Sequence, residues 1–281
     1  MKSNLTGVID ALSPAAVGSF NTLEPEMAQA VLEAAEEQNI PVIIGVATRH
    51  YRAIRTPLLA PALVRAIEQA SVPAALHLDH TAPDELNLIR EALDLGFTSI
   101  MIDGSRLPFE ENVEITARVV EMARPYGAGV EGELGGIAGE EGVADTDDDT
   151  PELLPYTDAA EASRFVAQTG VDALAIAVGT AHGIYKQTPH ISNETIEKVA
   201  AAVNVPLVMH GATGVSDAAI QAAVRGGIRK INYFSGLLQS AMDHVRDGSR
   251  RQDNDYLGFR QGMAERWRQL AGEQMRLYAL R

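Results

Sequence analysis

The stretch Pro73–His80, which reads PAALHLDH, decides the fold of this chain. Its small and apolar residues run directly into His77, Asp79 and His80, and a threonine and a proline soon follow. A short apolar run bounded by turn residues is typical of a buried strand. Two imidazoles and a carboxylate therefore stand at the carboxyl end of one predicted strand, where parallel α/β sheets carry their ligand sites.

Similar apolar runs recur along the chain and alternate with amphipathic helical patterns, which predicts a parallel sheet with crossover helices. The eight predicted strands are Ala16–Asn21, Pro41–Ala47, Ala74–Leu78, Thr98–Ile102, Ala128–Glu133, Ala173–Val178, Pro206–His210 and Lys230–Tyr233. Eight such units close most simply into a (β/α)8 TIM barrel, an α/β fold for which 281 residues is an ordinary length. An open doubly wound sheet is the alternative, because periodicity does not reveal closure.

We expect residues 1–281 to form a single barrel domain with a C-terminal helical extension that contains Trp267, a candidate for a subunit contact. Near 135–155 the sequence GGIAGEEGVADTDDDTPELLP interrupts the alternation of strands and helices. A long loop after a barrel strand is often a mobile lid, so we predict a lid here, with a solvated acidic loop as the alternative.

Helix starts are predicted at two places by capping-box spacing. Thr81 is followed three residues later by Asp84, and Asp158 is followed by Glu161. Each pair precedes an apolar pattern of helical period, so each is expected to begin a crossover helix.

Composition excludes several classes of partner and site. The formal net charge is −15 and no basic run occurs, which argues against nucleic acid or an anionic membrane as partner. The chain has no cysteine, so a metal would have to bind His, Asp, Glu or backbone oxygen. No apolar stretch approaches the ~20 residues of a membrane span, and no signal peptide is recognisable. A cytoplasmic enzyme that acts on a small molecule is expected. We also expect a homo-oligomer, either a dimer or a tetramer.

Three of the seven histidines close a predicted strand or follow one directly: His80, His182 and His210. In a barrel these strand ends converge on one mouth, and three imidazoles with an open position are a ligand set of catalytic zinc. A hydrogen-bonded structural role is the alternative for each histidine taken singly. His77 is expected to orient Asp79 or a ligand from outside the metal's own shell.

Carboxylates accompany these histidines. Asp79 precedes His80 directly, so it either binds the metal or acts as a general acid/base beside it, and we prefer the second role. Glu131 and Glu133 alternate along a strand and share its inner face, where buried carboxylates need a cation or hydrogen-bond donors. Glu133 is a candidate for a second or alternative metal contact, and a Lys or Arg partner inside the barrel is the other interpretation.

Glycine-rich turns follow the last three predicted strands, which is where barrels bind phosphate groups. Gly183, Gly211, Thr213 and Ser235 offer backbone N–H groups or hydroxyls, and Lys186 offers a charge. A metal, a phosphate site and an acid/base on one barrel indicate carbonyl chemistry on a sugar phosphate.

At this point the chain resembles the class II, zinc-dependent ketose-bisphosphate aldolases, the family of fructose-bisphosphate and tagatose-bisphosphate aldolases. The resemblance runs from GSFNTLE near Asn21 to INYFSG near Ser235, nearly the whole barrel. It is carried in order by HLDH, IMIDGS, VEGELG with GEE, YTD, VGTAHGIYK and HGATG. The family implies a lyase of carbohydrate metabolism that reversibly cleaves a ketose phosphate to dihydroxyacetone phosphate and an aldehyde.

The resemblance also implies roles for individual residues. Zn²⁺ would be bound by His80, His182 and His210, with Glu133 as an alternative contact and another divalent metal as an alternative ion. Asp79 matches the acid/base that acts at the hydroxyl of the bond being cleaved, and Glu141 matches the residue that moves the proton at the dihydroxyacetone phosphate carbon. The positions that match substrate and phosphate contacts are Asn21, Gly183, Lys186, Gly211, Thr213, Asn232 and Ser235.

The sequence departs from the family at residues 232–235, which read Asn-Tyr-Phe-Ser where the family usually has Asn-Val-Asp-Thr. Phe234 thus replaces the acid that helps to hold substrate hydroxyls in the family. The basic residue that often binds the distal phosphate has no clear match, and Arg49, Arg52, Arg55, Arg250 and Arg251 are candidates to replace it. We therefore expect a substrate other than ordinary fructose 1,6-bisphosphate. The alternatives are a metal-dependent sugar-phosphate epimerase or hydrolase on the same barrel, or a non-catalytic companion subunit.

Overall fold

A computed structural model describes residues 1–137, 155–183, 189–248 and 255–281. Its strands are all parallel and form one closed barrel in chain order, which confirms the (β/α)8 prediction over the open sheet. The strands are β1 (Val17–Asn21), β2 (Val42–Ala47), β3 (Ala74–Thr81), β4 (Ser99–Ile102), β5 (Gly129–Leu134), β6 (Ala173–Ile176), β7 (Leu207–Met209) and β8 (Ile228–Tyr233). β3 is longer than predicted, because it continues beyond Leu78 through His80 to Thr81.

The helices that the structure describes are α1 (Leu5–Asp10), α2 (Pro25–Gln38), α3 (Thr48–Tyr51), α4 (Thr56–Gln69), α5 (Leu86–Asp94), α6 (Phe109–Ala123), α7 (Ala159–Thr169), α8 (Asn193–Ala202), α9 (Asp217–Gly226), α10 (Ser235–Gly248) and α11 (Tyr256–Tyr278). Asp158 caps α7 as predicted, since its carboxylate accepts from the N–H groups of Ala160 and Glu161. The cap predicted at Thr81 is wrong. That residue pairs with β4 as part of β3, so its backbone is already held in the sheet and α5 begins only at Leu86.

The inside of the barrel is apolar at its amino end and polar at its carboxyl end. Inward-facing residues such as Val17, Ile43 and Val208 form a small buried cluster with side chains of α1, which closes the amino end. The outward faces of the strands and the inner faces of the crossover helices form the large core. Because strand side chains alternate between these two faces, each strand places its later inward residues near the open, carboxyl end.

Helix α11 packs across α2 and α10 and closes the C-terminal part of the core. Trp267 lies on this helix, is 3 % exposed and donates its indole N–H to the carbonyl oxygen of Leu237, 3.2 Å away. The expectation that Trp267 packs a subunit contact is therefore wrong. An indole is large enough to fill the space between α10 and α11 within its own chain.

The predicted lid falls largely on residues 138–154, outside the residues that the structure describes. Within the described ranges, no helix is both long enough and apolar enough to cross a bilayer.

The packing of α11 gives a first testable prediction. Trp267→Ala should lower the free energy of unfolding by ~3–5 kcal/mol, because it removes a large buried side chain and leaves a cavity. Leu257→Ala on the same helix is the matched control, and it should change stability by less than ~0.5 kcal/mol because Leu257 is 71 % exposed. Urea unfolding followed by circular dichroism measures both. Equal losses in the two variants would contradict the described packing.

Candidate active site

The site begins with an irregularity in β3. The register between β3 and β4 shifts between Leu78 and Thr81, and His80 adopts a left-handed backbone with φ of 51°. That conformation is uncommon for a residue with a side chain and is concentrated at functional sites. Because of this backbone conformation, two successive residues point to different neighbours. Asp79 contacts side chains inside the barrel, while His80 contacts the histidines that follow later strands.

His80, His182 and His210 come together from three separate strand ends. His80 Nε2 and His210 Nδ1 lie 2.9 Å apart, and the ring centroids of His80 and His182 are 4.7 Å apart. Ligand atoms of all three lie within 4.8 Å of one another. The structure thus unites the three histidines that the sequence singled out.

The state of these imidazoles fits a divalent metal. His182 Nε2 is buried and has no hydrogen-bond partner among the described residues. Burial and the neighbouring histidines keep the pKa of His182 well below its usual value, and burial and His80 also lower the pKa of His210. Both rings therefore favour the neutral form that binds metals. Burial would lower the pKa of His80 too, but the nearby carboxylates, Asp79 first, raise it well above its usual value, so negative charge surrounds this point.

A second group of possible ligands overlaps the first and consists of His80, Asp103 and Glu133. Asp103 Oδ2 lies 3.2 Å from His80 Nδ1, and Ser105 donates to Asp103 Oδ1 from both its N–H and its hydroxyl. Burial opposes ionisation of Asp103, but these hydrogen bonds outweigh it and hold its pKa well below the usual range. Sequence reasoning did not select Asp103, although it lies in the motif IMIDGS.

Glu133 is buried near these residues, and its Oε2 has no hydrogen-bond partner within the described part of the chain. Burial and the charge of Asp103 raise the pKa of Glu133 well above its usual value. A nearby cation would favour the charged form of such a carboxyl. This position and environment fit the alternative metal contact expected from the sequence.

Asp79 is completely buried and is held by amide groups. Asn21 Nδ2 donates to its Oδ2 at 2.7 Å, and Asn232 Nδ2 donates to its Oδ1 at 3.2 Å. His77 Nε2 lies 3.4 Å from Oδ1 as well. Residues from β1 and β8 therefore orient the carboxylate. Asn21, expected as a substrate contact, donates directly to Asp79.

A buried ion pair supports both the histidines and Asp79 from inside the barrel. Lys230 Nζ lies 2.8 Å from Glu131 Oε2, and both side chains are fully buried. Glu131 Oε1 is 2.8 Å from His210 Nε2, while Lys230 donates to Asn232 Oδ1 at 2.6 Å. Lys230 is therefore the cation that Glu131, as a buried carboxylate on this face, was expected to need. Burial alone would raise the pKa of Glu131, but Lys230 and His210 outweigh it and lower that pKa to about 2.

The glycine-rich turns after β6, β7 and β8 also meet as predicted. Around a small cavity beside His182 lie Gly183, Gly211, Thr213, Asn232 and Ser235. Gly211 has φ of 66°, and an added Cβ would lie 2.3 Å from the carbonyl oxygen of Ala181, so only glycine fits there. The cavity measures about 10 Å³, close to the space of one water. Lys186 lies outside the described residues, as does Glu141.

Phe234 lies on the wall of the same small cavity and is 1 % exposed. The ring of His50 packs edge-on against it, with 5.5 Å between centroids. Sequence reasoning did not place His50 beside Phe234, because its position after β2 shows no link to β8 until the barrel closes.

The charge network gives a second testable prediction. Lys230→Met should lower the free energy of unfolding by ~3–5 kcal/mol at neutral pH, because Glu131 is left charged and buried without its partner. Lys198→Met is the control: its partner Glu194 is exposed, and such pairs on a helix contribute ~0.2–0.5 kcal/mol. Urea unfolding of both variants measures the difference.

The loss of stability in Lys230→Met should depend on pH, in a direction set by the sign of the pKa shift of Glu131. In the native protein the pKa of Glu131 is depressed to about 2, so its stabilisation is present above the usual pKa and disappears as pH falls towards 2. Without Lys230, burial dominates and the folded carboxyl prefers its proton. The penalty of Lys230→Met should therefore shrink between pH 7 and about 4.5. A penalty that grows over this interval would contradict the assignment.

Sequence comparison relates the chain to known proteins. The profile of the family described as "Fructose-bisphosphate aldolase class-II" matches residues 12–279. A fructose-bisphosphate aldolase of Staphylococcus epidermidis is 42 % identical over 221 residues, which cover 77 % of this chain and 74 % of that protein. A fructose-bisphosphate aldolase of Staphylococcus aureus is 41 % identical over 241 residues, which cover 83 % and 80 % of the two chains.

Comparison with solved structures also finds aldolases. The crystal structure of the YdjI aldolase from Escherichia coli K12 superposes with a TM-score of 0.87 and 33 % identity, covering 99 % of this chain and 97 % of that one. The fructose-bisphosphate aldolase of Campylobacter jejuni gives a TM-score of 0.74 at 22 % identity, with 98 % and 92 % coverage, and this likeness concerns the fold alone.

Proposed function

Because the chain belongs to the class II fructose-bisphosphate aldolase family, we propose that it is a metal-dependent aldolase that reversibly cleaves a ketose phosphate to dihydroxyacetone phosphate and an aldehyde. The observation that carries this proposal is the convergence of three imidazoles beside an amide-held carboxylate, Asp79. Neutral imidazoles bind a divalent metal, and the carboxylate next to them is suited to move a proton.

His80, His182 and His210 would hold the metal, with Glu133 as an alternative contact. Zinc is the proposed ion, and cobalt, manganese or iron would also suit imidazole ligands. When bound, such a metal supplies Lewis-acid polarisation of the ketose carbonyl and stabilises negative charge that develops on it. Glu131 orients His210 through its other nitrogen, the outer-shell arrangement that is usual for metal-binding histidines.

In cleavage, Asp79 accepts the proton of the substrate hydroxyl, the adjacent carbon–carbon bond breaks, and its electron pair remains on the dihydroxyacetone phosphate carbon. Glu141 then gives a proton to that carbon, and condensation is the reverse. Asn21 and Asn232 keep Asp79 in position for this transfer, since each donates to a different carboxylate oxygen. The turns that carry Gly183, Gly211, Thr213 and Ser235, together with Lys186, would bind the phosphate of the dihydroxyacetone half.

We propose that the substrate is not ordinary fructose 1,6-bisphosphate. The position at which the family usually places a hydroxyl-binding acid is Phe234, and its ring is buried against His50. An aromatic ring offers no carboxylate to substrate hydroxyls. A cytoplasmic location and a homo-oligomeric state stay predictions from the sequence.

Removal of the metal should abolish the reaction. We expect release of dihydroxyacetone phosphate from a panel of ketose phosphates to stop with chelator and to return with Zn²⁺. His182→Ala should lower metal affinity by at least about 100-fold, more than is typical for loss of an outer-shell partner. His190→Ala is the control, because that side chain is exposed and outside the cluster. Metal content by mass spectrometry and a coupled assay measure both. Full chelator-resistant activity would refute metal dependence.

Glu141 separates an aldolase from a hydrolase on the same barrel. Glu141→Gln should lower kcat by about 10²–10⁴-fold and slow exchange of the dihydroxyacetone phosphate C–H proton with solvent, because the proton carrier is lost. Glu140→Gln, one residue earlier, is the matched control. A metal hydrolase would use a bound water and keep its rate in both variants. Proton exchange measured by NMR and kcat measured by the coupled assay distinguish the aldolase hypothesis from the hydrolase hypothesis.

A further inference from the structure

Strand β3 contains a β-bulge near its carboxyl end. Leu78 pairs with Ile100 of β4 and Thr81 pairs with Ile102, so the two residues between Leu78 and Thr81 lie opposite a single residue of β4. His80 is one of the two, and its left-handed backbone belongs to this bulge. A β-bulge bends its strand and changes the direction of a side chain, and bulges are common next to active sites. The bulge therefore determines the direction in which the His80 ring leaves the strand.

The bulge needs support beyond the sheet. A left-handed backbone is unfavourable for a residue with a Cβ and persists only where the surrounding structure holds it. The ladder with β2 reaches Asp79, which pairs with Ala47, and the ladder with β4 is interrupted at His80 itself. Hydrogen bonds from side chains are therefore expected to stabilise the backbone on both sides of His80.

Two buried threonines supply such hydrogen bonds. Thr48, the first residue of α3, donates its hydroxyl to the main-chain carbonyl oxygen of Asp79 at 2.8 Å. Oγ1 of Thr48 also lies 3.2 Å from Oγ1 of Thr81. Both side chains are buried, so water does not compete freely for these hydroxyls. One threonine therefore contacts the residue before His80, and the other is the residue after it.

The directions of the two hydrogen bonds follow from the hydrogens that are present. A hydroxyl has one hydrogen, and that of Thr48 goes to the carbonyl of Asp79, because a carbonyl only accepts. Thr81 must then donate to Thr48. The result is a chain of two hydroxyls, from Thr81 through Thr48 to the carbonyl oxygen of Asp79, which connects the two neighbours of His80. We call this chain the threonine bridge.

The threonine bridge adjoins the histidine cluster and its carboxylates. A cavity of about 320 Å³ lies beside the cluster, and Thr48, His80, Asp103 and His182 all line it. Asp103 donates its N–H to the carbonyl oxygen of Thr81 at 2.9 Å, and its Oδ2 lies 3.2 Å from His80 Nδ1. The bridge thus holds the backbone of His80 and, through Thr81, also the residue that contacts the His80 ring.

We propose that the threonine bridge positions His80 for metal binding, because it holds the bulge of β3 in its left-handed form. Thr48 and Thr81 are positioning residues that act through His80. The metal part of this inference rests on the proposed function. Sequence reasoning did not select Thr48 and placed Thr81 at a helix start, since the two hydroxyls meet only when β2 and β3 pair.

Metal affinity tests the proposal. Thr48→Val replaces the hydroxyl with a methyl group and leaves the carbonyl oxygen of Asp79 without its donor. The affinity for Zn²⁺, measured by competition with a chromogenic chelator, should fall about tenfold or more, as it does when an outer-shell partner of a metal ligand is lost. Thr48→Ser keeps the hydroxyl and should restore the affinity to nearly that of wild type. Thr81→Val removes the other hydroxyl and provides the same test if Thr48→Val does not fold.

Thr169→Val is the matched control, which separates positioning from general stability. Thr169 is also buried, and it also donates its hydroxyl to a carbonyl oxygen, that of Phe165, at 2.8 Å. It lies at the end of α7, away from the histidine cluster. Thr48→Val and Thr169→Val should both lower the urea midpoint, but Thr169→Val should keep the Zn²⁺ affinity of wild type. Wild-type affinity in a folded bridge variant, or an equal loss of affinity in Thr169→Val, overturns the inference.

Hydrogen exchange of the metal-free protein tests the bridge separately from the proposed function. Peptides that cover residues 77–83 should exchange about fivefold faster in Thr48→Val than in wild type, because loss of one hydrogen bond makes local opening at the bulge easier. Thr169→Val should leave these peptides unchanged. If the wild type binds no Zn²⁺ but the difference in exchange is found, the bridge still holds His80 and only the metal-dependent function fails. Unchanged exchange in Thr48→Val overturns the inference whether or not Zn²⁺ binds.

Discussion

The pair of Lys230 and Glu131, fully buried inside the barrel, is the interaction on which the rest of the site depends. Glu131 uses its second oxygen to hold His210, and Lys230 uses a further N–H to hold Asn232, which donates to Asp79. Two buried charges are costly to remove from water, so each requires the other as well as these additional hydrogen bonds. One ion pair thus orients a proposed metal ligand from one side and the proposed acid/base from the other.

The backbone of His80 determines which side chains meet at the mouth of the barrel. His80 leaves the regular ladder of β3 through a left-handed backbone, so that it meets His182 and His210, while Asp79 stays among the amides inside. The cavity lined by the segments after β2, β3 and β4 and the glycine turns after β6–β8 both adjoin the histidine cluster through His182. Because βα loops change without disturbing the strands, the lining of these two cavities can vary while the histidine cluster keeps its position.

Much of this was predictable from local patterns. Mainly apolar runs of four to seven residues predicted strand positions that agree with the barrel, because strands buried on both faces are rich in apolar residues. His80, His182 and His210 drew attention because each closes a predicted strand or follows one directly. The failed predictions share a cause. Thr81 has capping-box spacing but is held by β4, and Trp267 fills a space that only the packing of α10 and α11 creates.

By itself, the sequence determined the class of fold, the set of histidines and the family, since each depends on residue type and spacing along the chain. Only the tertiary structure decided that Lys230 pairs with Glu131, that Asp103 and Ser105 join His80, and that Arg49 and Arg106 face one cavity. These partners lie on different strands or loops, and their contacts depend on barrel closure and register. Electrostatic and hydrogen-bond energies fall steeply with distance, so positions in sequence alone do not specify them.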